Sequence, residues 1–118
     1  MNRRTFGLAA LAATAMFAGA AHAQQGPIKI GIILPYSGQF ADAAAQMDNA
    51  IKLFVKENGD TVAGRKIEFI RKDTGGIAPD VAKRLAQELV VRDGVDILAG
   101  FVLTPNAMAA GDVSDQAK

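Results

Sequence analysis

Apolar positions along the chain change their period several times, and each change marks an element. Phe6 to Ala21 is an uncharged, alanine-rich run. Ile28-Lys29-Ile30-Gly31-Ile32-Ile33-Leu34 is short, almost continuous, rich in β-branched residues, and stops at Pro35. Such a run predicts a strand buried on both faces, as in a parallel sheet. Pro35-Tyr36-Ser37-Gly38-Gln39 is turn chemistry. From Ala41 to about Asn58 the spacing becomes helical. Ala44, Met47, Ile51, Phe54 and Val55 take one face, and Asp42, Asp48, Lys52 and Lys56 the other. Asn58-Gly59-Asp60 ends that helix.

Val62-Ala63-Gly64-Arg65 leads into a second strand, Lys66 to Lys72, where Ile67 and Phe69 alternate with charged neighbours. Asp73-Thr74-Gly75-Gly76 is a loop, and Pro79 and Asp80 open a second helix. Val81, Leu85 and Leu89 stack one turn apart, with Ala82 and Ala86 alongside, while Lys83, Arg84, Gln87 and Glu88 face water. Asp93-Gly94 closes it. Val95 to Val102 reads as a third strand, in which Gly100 permits a close backbone approach. Thr104 then serves as N-cap and Pro105 as the first helical residue of a third helix, Asn106 to Lys118. The order β-α-β-α-β-α predicts an α/β fold with an open parallel sheet and right-handed crossovers. Three strands leave one edge open and the core thin, so the natural product is expected to continue past Lys118.

The start of the chain has a different logic. Met1-Asn2-Arg3-Arg4 is basic, the apolar run follows, and Ala21-His22-Ala23 is a small-x-small exit. These are the parts of a secretory signal peptide, residues 1–23, cleaved after Ala23. The run is short for a membrane span and rich in Ala, so no stable membrane insertion is expected after cleavage. Arg3-Arg4-Thr5-Phe6 is compatible with the twin-arginine route as well as the general one. Cleavage removes two basic residues and takes the formal charge from +1 to −1. It also removes the single histidine, His22. A near-neutral remainder without a basic stretch gives no case for nucleic-acid binding. The absence of cysteine excludes disulfides, thiol catalysis and a lipidated cysteine within the segment. A protein free in the periplasm is the expectation.

In open α/β sheets ligands bind beyond the carboxyl ends of the strands, where helix N-termini point N–H groups outward. Pro35 to Phe40, Asp73 to Gly76 and Phe101 to Asn106 occupy that edge. Ser37 is a turn serine or a hydroxyl at a pocket mouth, and Thr104 a cap or a carboxylate contact. Tyr36, Phe40 and Phe101 are core or pocket wall. Enzymatic readings fail one by one. Asp73-Thr74-Gly75 matches an aspartic-protease tripeptide, but it lies between a strand and a helix rather than in an all-β fold. No G-x-G-x-x-G follows the first strand, and no phosphate-binding loop is present. Without His22, neither a Ser-His triad nor a His-ligated metal site can be assembled here. A secreted hydrolase would need a G-x-S-x-G elbow, which is absent.

Leu34-Pro35-Tyr36-Ser37-Gly38 resembles the opening of the type I periplasmic binding proteins, in particular their leucine/isoleucine/valine-binding class. Asn49-Ala50 on the long helix, Gly64-Arg65-Lys66-Ile67 at the entry to the second strand, Asp73 after it and Val95-Asp96-Ile97-Leu98-Ala99-Gly100 keep the family's order over residues 28–118. The resemblance implies that residues 24–118 are an incomplete N-terminal lobe. It further implies a non-enzymatic receptor that closes on a small-molecule solute and delivers it to an ABC transporter permease, with no cofactor or metal. A ligand-sensing domain of a receptor or regulator is the alternative on the same fold. Carried over, the ligand-binding positions are Tyr36, Ser37, Phe40, Phe101, Thr104 and Asn106. Two positions depart from the amino-acid-binding members. Pro105 cannot donate an N–H in the carboxylate loop, and Ala43 stands where an aromatic is common. They weaken the amino-acid assignment, and the expected solute is a branched-chain amino acid or an aromatic or aliphatic carboxylate.

Overall fold

A computed structural model of the chain describes residues 26–117. The expected signal segment and its cleavage site lie outside the described residues. β1 (Ile28–Leu34) is the central strand, followed by α1 (Ala41–Asn58), β2 (Thr61–Val62), β3 (Arg65–Asp73), α2 (Pro79–Gln87), β4 (Ile97–Gly100) and α3 (Thr104–Gln116). The sheet order is β2-β3-β1-β4. β1 runs parallel to both neighbours, with Ile30 beside Phe69 of β3 and Ile97 of β4. The near-continuous apolar run of β1 is explained by its place: Ile33 faces the helices α2 and α3, and Ile32 and Leu34 face α1.

The alternating α/β order holds, with corrections at the element ends. The stretch read as a lead-in to the second strand is a hairpin. Thr61 and Val62 pair antiparallel with Lys66 and Arg65. Ala63 and Gly64 between them have φ of 50° and 76°, the left-handed pair that a tight two-residue hairpin turn requires. The strand expected over Val95 to Val102 is reduced to Ile97–Gly100. Val95 still donates its N–H to the Leu89 carbonyl (3.1 Å), finishing the preceding turn. At the other end Phe101 turns to φ 61° and leaves the sheet. α2 does not end as an α-helix but runs into a π-helical turn, Glu88–Arg92. Thr104 is not the N-cap of α3. Leu103 is, because its carbonyl accepts the Ala107 N–H (3.1 Å), which makes Thr104 the first helical residue.

Helix α1 carries the largest correction. Met47 and Phe54, assigned to its inner face, are 47% and 61% exposed, whereas Asp48, assigned to water, is 6% exposed. The cause lies on the same face of the sheet: Arg71 of β3 donates to Asp48, and Lys52 of α1 adds an ion pair at 2.8 Å. A buried carboxylate is tolerable when cations and hydrogen bonds replace its water. On the other face the expected apolar ladder is present. Leu85, Ala86 and Leu89 pack with Ile33, Ala110 and Val113. Among the described residues no helix is long and apolar enough to cross a membrane.

Candidate functional site

β1, β3 and β4 run parallel and release their loops at one edge of the sheet. Leu34 caps the rim from below: its carbonyl accepts N–H bonds from Tyr36 and Thr74, both 3.1 Å. The first loop then turns through Gly38 at φ 80°. A Cβ there would lie 2.5 Å from the Gly75 carbonyl oxygen, so only glycine lets these two loops touch.

Asp73 joins the same loops by hydrogen bonding. Its carboxylate accepts the Ser37 hydroxyl at 2.7 Å, the Ser37 N–H at 3.3 Å and the Gly75 N–H at 2.8 Å. Burial works to raise its pKa, but these donors outweigh it and hold the carboxyl below its ordinary value. The Ser37 hydroxyl proton is therefore committed to Asp73, and toward a ligand Ser37 offers lone pairs. Asp73, placed by the sequence at the start of a loop, is the last residue of β3 and holds the loop that follows it.

Tyr36 is half-buried against the α1-side core. Its hydroxyl donates to Asp48 over a long 3.4 Å. Burial, then the nearby Asp48 charge, raises the phenol pKa. Burial pushes Asp48 upward too, yet Lys52 and Arg71 bring it below its ordinary value. Arg71 also lies over the Phe69 ring, 5.8 Å from its centroid. Sequence reasoning missed this cluster, since nothing local marks Asp48 as an inward residue. Phe40, half-buried, is the N-cap residue of α1.

The third loop is the most constrained. Gly100 has φ 108°, and a Cβ on it would meet the Ile33 carbonyl oxygen at 2.4 Å, as the close-approach reading anticipates. Phe101 donates its N–H to the same carbonyl (2.8 Å) and holds an unfavourable left-handed conformation. Its side chain packs against the α2–α3 core, so it supports the loop from beneath. Thr104 is exposed at the start of α3. Asn106 is 2% exposed. Its Oδ1 accepts the Ala78 N–H (2.9 Å) and its Nδ2 donates to the Gly76 carbonyl (2.8 Å). The structure thus brings both Ser37, through Asp73, and Asn106 to the second loop.

A groove of about 700 Å³ opens elsewhere, between the π-helical turn and the end of α3, where Val90, Val91 and Val113 line it. None of the candidate ligand-binding residues borders it. The rim is favoured as the site on the physics of strand ends and helix N-termini. Among the described residues no group of acidic, histidine or cysteine side chains could hold a metal ion.

An open, mostly parallel sheet with a rim of loops and a helix N-terminus defines an α/β protein of the kind that binds small molecules at strand ends. The chain belongs to the periplasmic binding protein family, whose model matches residues 27–118. It is 39% identical over 109 residues to the Leu/Ile/Val-binding protein homolog 6 of Brucella abortus (strain 2308), a match covering 92% of this chain and 27% of the relative. Its fold is similar to a solute-binding protein of an ABC transporter from Rhodopseudomonas palustris BisB5 solved with 3,4-dihydroxybenzoic acid. That likeness has a TM-score of 0.75 and 51% identity, over 78% of this chain and 25% of the other. A second R. palustris solute-binding protein, solved with 4-hydroxybenzoate, has a TM-score of 0.74 and 37% identity over 77% of this chain and 25% of its own. The chain thus spans about a quarter of the length of these relatives.

Proposed function

We propose that this chain is the opening part of the substrate-binding component of an ABC importer, and that its ligand is a small aromatic carboxylate. Residues 1–23 are the export signal, cut after Ala23, and residues 24–118 belong to the first of two lobes working in the periplasm. The protein performs no reaction on its ligand. It closes on the solute and hands it to the permease.

One observation carries the ligand class. The rim ends in the exposed N-terminus of a 13-residue helix, with Thr104 at its first position. A helix N-terminus favours a carboxylate through its N–H groups and dipole, and the Thr104 hydroxyl adds a donor. Ser37, presenting acceptor lone pairs, suits a ligand hydroxyl at the far side of the rim. Tyr36 and Phe40 offer ring faces, while Phe101 and Asn106 shape the loop. The relative at 51% identity that was solved with 3,4-dihydroxybenzoic acid supports the aromatic reading over a branched-chain amino acid.

A thermal-shift screen of the complete mature protein tests this. A ligand at a hundred times its dissociation constant adds about 2.7 kcal/mol. Hydroxybenzoates are expected to raise the midpoint, and leucine, isoleucine and valine to leave it unmoved. Stabilisation by leucine alone would overturn the assignment.

A further inference from the structure

The three rim loops come from different strands. Two polar side chains connect them. Asp73 ends β3, yet it takes hydrogen bonds from Ser37 of the first loop as well as Gly75 of its own. Asn106 sits in the first turn of α3, yet both ends of its amide are spent on Gly76 and Ala78 of the second loop. That amide acts as a peptide-bond substitute, giving a donor and an acceptor to a loop without a strand partner. The Phe101 N–H on the Ile33 carbonyl completes the circuit from the third loop back to β1.

We infer that Asp73 and Asn106 are positioning residues, two staples that lock the first and third rim loops to the second and so present the ligand with a preformed surface. The inference rests on the rim being the binding site, as proposed above. Asn106 acts through the loop it holds, not on the ligand, because its side chain is buried. Asp73 also sets the polarity of Ser37 by accepting the hydrogen bond of its hydroxyl. A ligand that meets a loosened rim has to select the competent fraction, and its apparent affinity falls by that fraction.

The test uses the complete mature protein and two readouts. The first is amide hydrogen exchange without ligand, in peptides spanning residues 36–40 and 74–78, with β1 as the internal control. Asn106→Asp keeps the volume and the acceptor for Ala78 but removes the donor to Gly76. Asp73→Ala removes its staple outright. Each is expected to speed exchange in the stapled loop up to about tenfold, the scale of one net hydrogen bond lost, more for the part-buried Asn106 bond to Gly76 than for the exposed Asp73 bonds, with β1 unchanged. Asp73→Asn still accepts from the Ser37 and Gly75 N–H groups and can donate to the Ser37 hydroxyl oxygen, so it should restore protection. The second readout is the affinity for 3,4-dihydroxybenzoate, 4-hydroxybenzoate and leucine, expected to fall about tenfold for whichever binds. Unchanged loop exchange, an equal rise in β1, or faster loop exchange with unaltered affinity each overturns the inference. If none of these probes binds, the proposed ligand class fails, and the ligand-free exchange alone decides the staples.

Discussion

The two faces of the sheet are covered by different chemistry. On one, α2, the π-helical turn after it and α3 bring Leu85, Ala86, Leu89, Ala110 and Val113 down on Ile33. On the other, α1 has a single apolar residue in its fully buried core, Ala44, and beside it the carboxylate of Asp48 held by Lys52 and Arg71. The first face gains stability from area removed from water. The second holds its helix partly by charge, and its outward residues Met47, Leu53 and Phe54 stay exposed. Apolar burial is non-directional, whereas a carboxylate with a defined set of donors accepts one register. α1 precedes β3 and begins at the rim, so its register places Asp48 3.4 Å from the Tyr36 hydroxyl.

The sharpest way to break this contrast is to truncate one side chain on each face. Leu89 is fully buried. It lies so close to β1 that a Cβ on Gly31 would sit 2.8 Å from its Cδ1. Leu89→Ala should cost about 2–5 kcal/mol, as cavity-forming substitutions do, read by denaturant titration of the complete mature protein. Ile51→Ala on α1, where Ile51 is only half-buried, should cost clearly less. Equal costs would mean that α1 is held by apolar packing after all.

The charged cluster is probed by Asp48→Asn, which leaves Arg71 facing a neutral amide. The expected loss is about 1–3 kcal/mol, toward the lower end because the Lys52 and Arg71 side chains are 64% and 34% exposed. Replacing Asp48 and Arg71 together by Leu and Met should recover most of it, since breaking a pair costs more than removing it. A double variant no better than the single one would show that the pair itself is not what holds α1. Acid gives a second reading of the same cluster. Asp48 and Asp73 both have folded pKa values below the ordinary one. Their contribution is therefore present above the unfolded carboxylate value of about 3.9 and is lost as pH falls through the lowered folded values. Asp48→Asn should flatten that acid limb while leaving stability near neutral pH independent of pH.

These differences explain which features could be read in advance. Val81, Leu85 and Leu89 recur one turn apart, so the α2 face is legible from spacing alone. Gly100 is legible because a glycine inside an apolar strand has few other reasons to be there. Asp48 is not, because its partner Arg71 lies on another element and a charged residue on a helix reads as solvated. Asn106 is opaque for a similar reason. Behind Pro105 it looks like an exposed helix-start residue at a pocket mouth, and only the folded loop shows that Gly76 and Ala78 take both ends of its amide. The rim as a place follows from strand order. The residues that hold it together follow from contacts between loops, which no local pattern encodes.

The smallest expected effect concerns the hairpin that local pattern also concealed. Tight two-residue hairpin turns favour Asn-Gly, since both central residues take positive φ. Here the first is Ala63 at φ 50°, with an unfavourable approach of its Cβ to the backbone. Ala63 is exposed, so a substitution there changes the turn and little else. Ala63→Asn should stabilise the complete protein by about 0.5–1 kcal/mol, while Ala63→Val should destabilise it by a similar amount. Both are read from the denaturation midpoint at unchanged slope. The β2–β3 turn lies at the opposite end of β3 from Asp73, so neither variant should alter ligand affinity. A change in affinity would mean that strain at this end of β3 is transmitted along the strand to the rim.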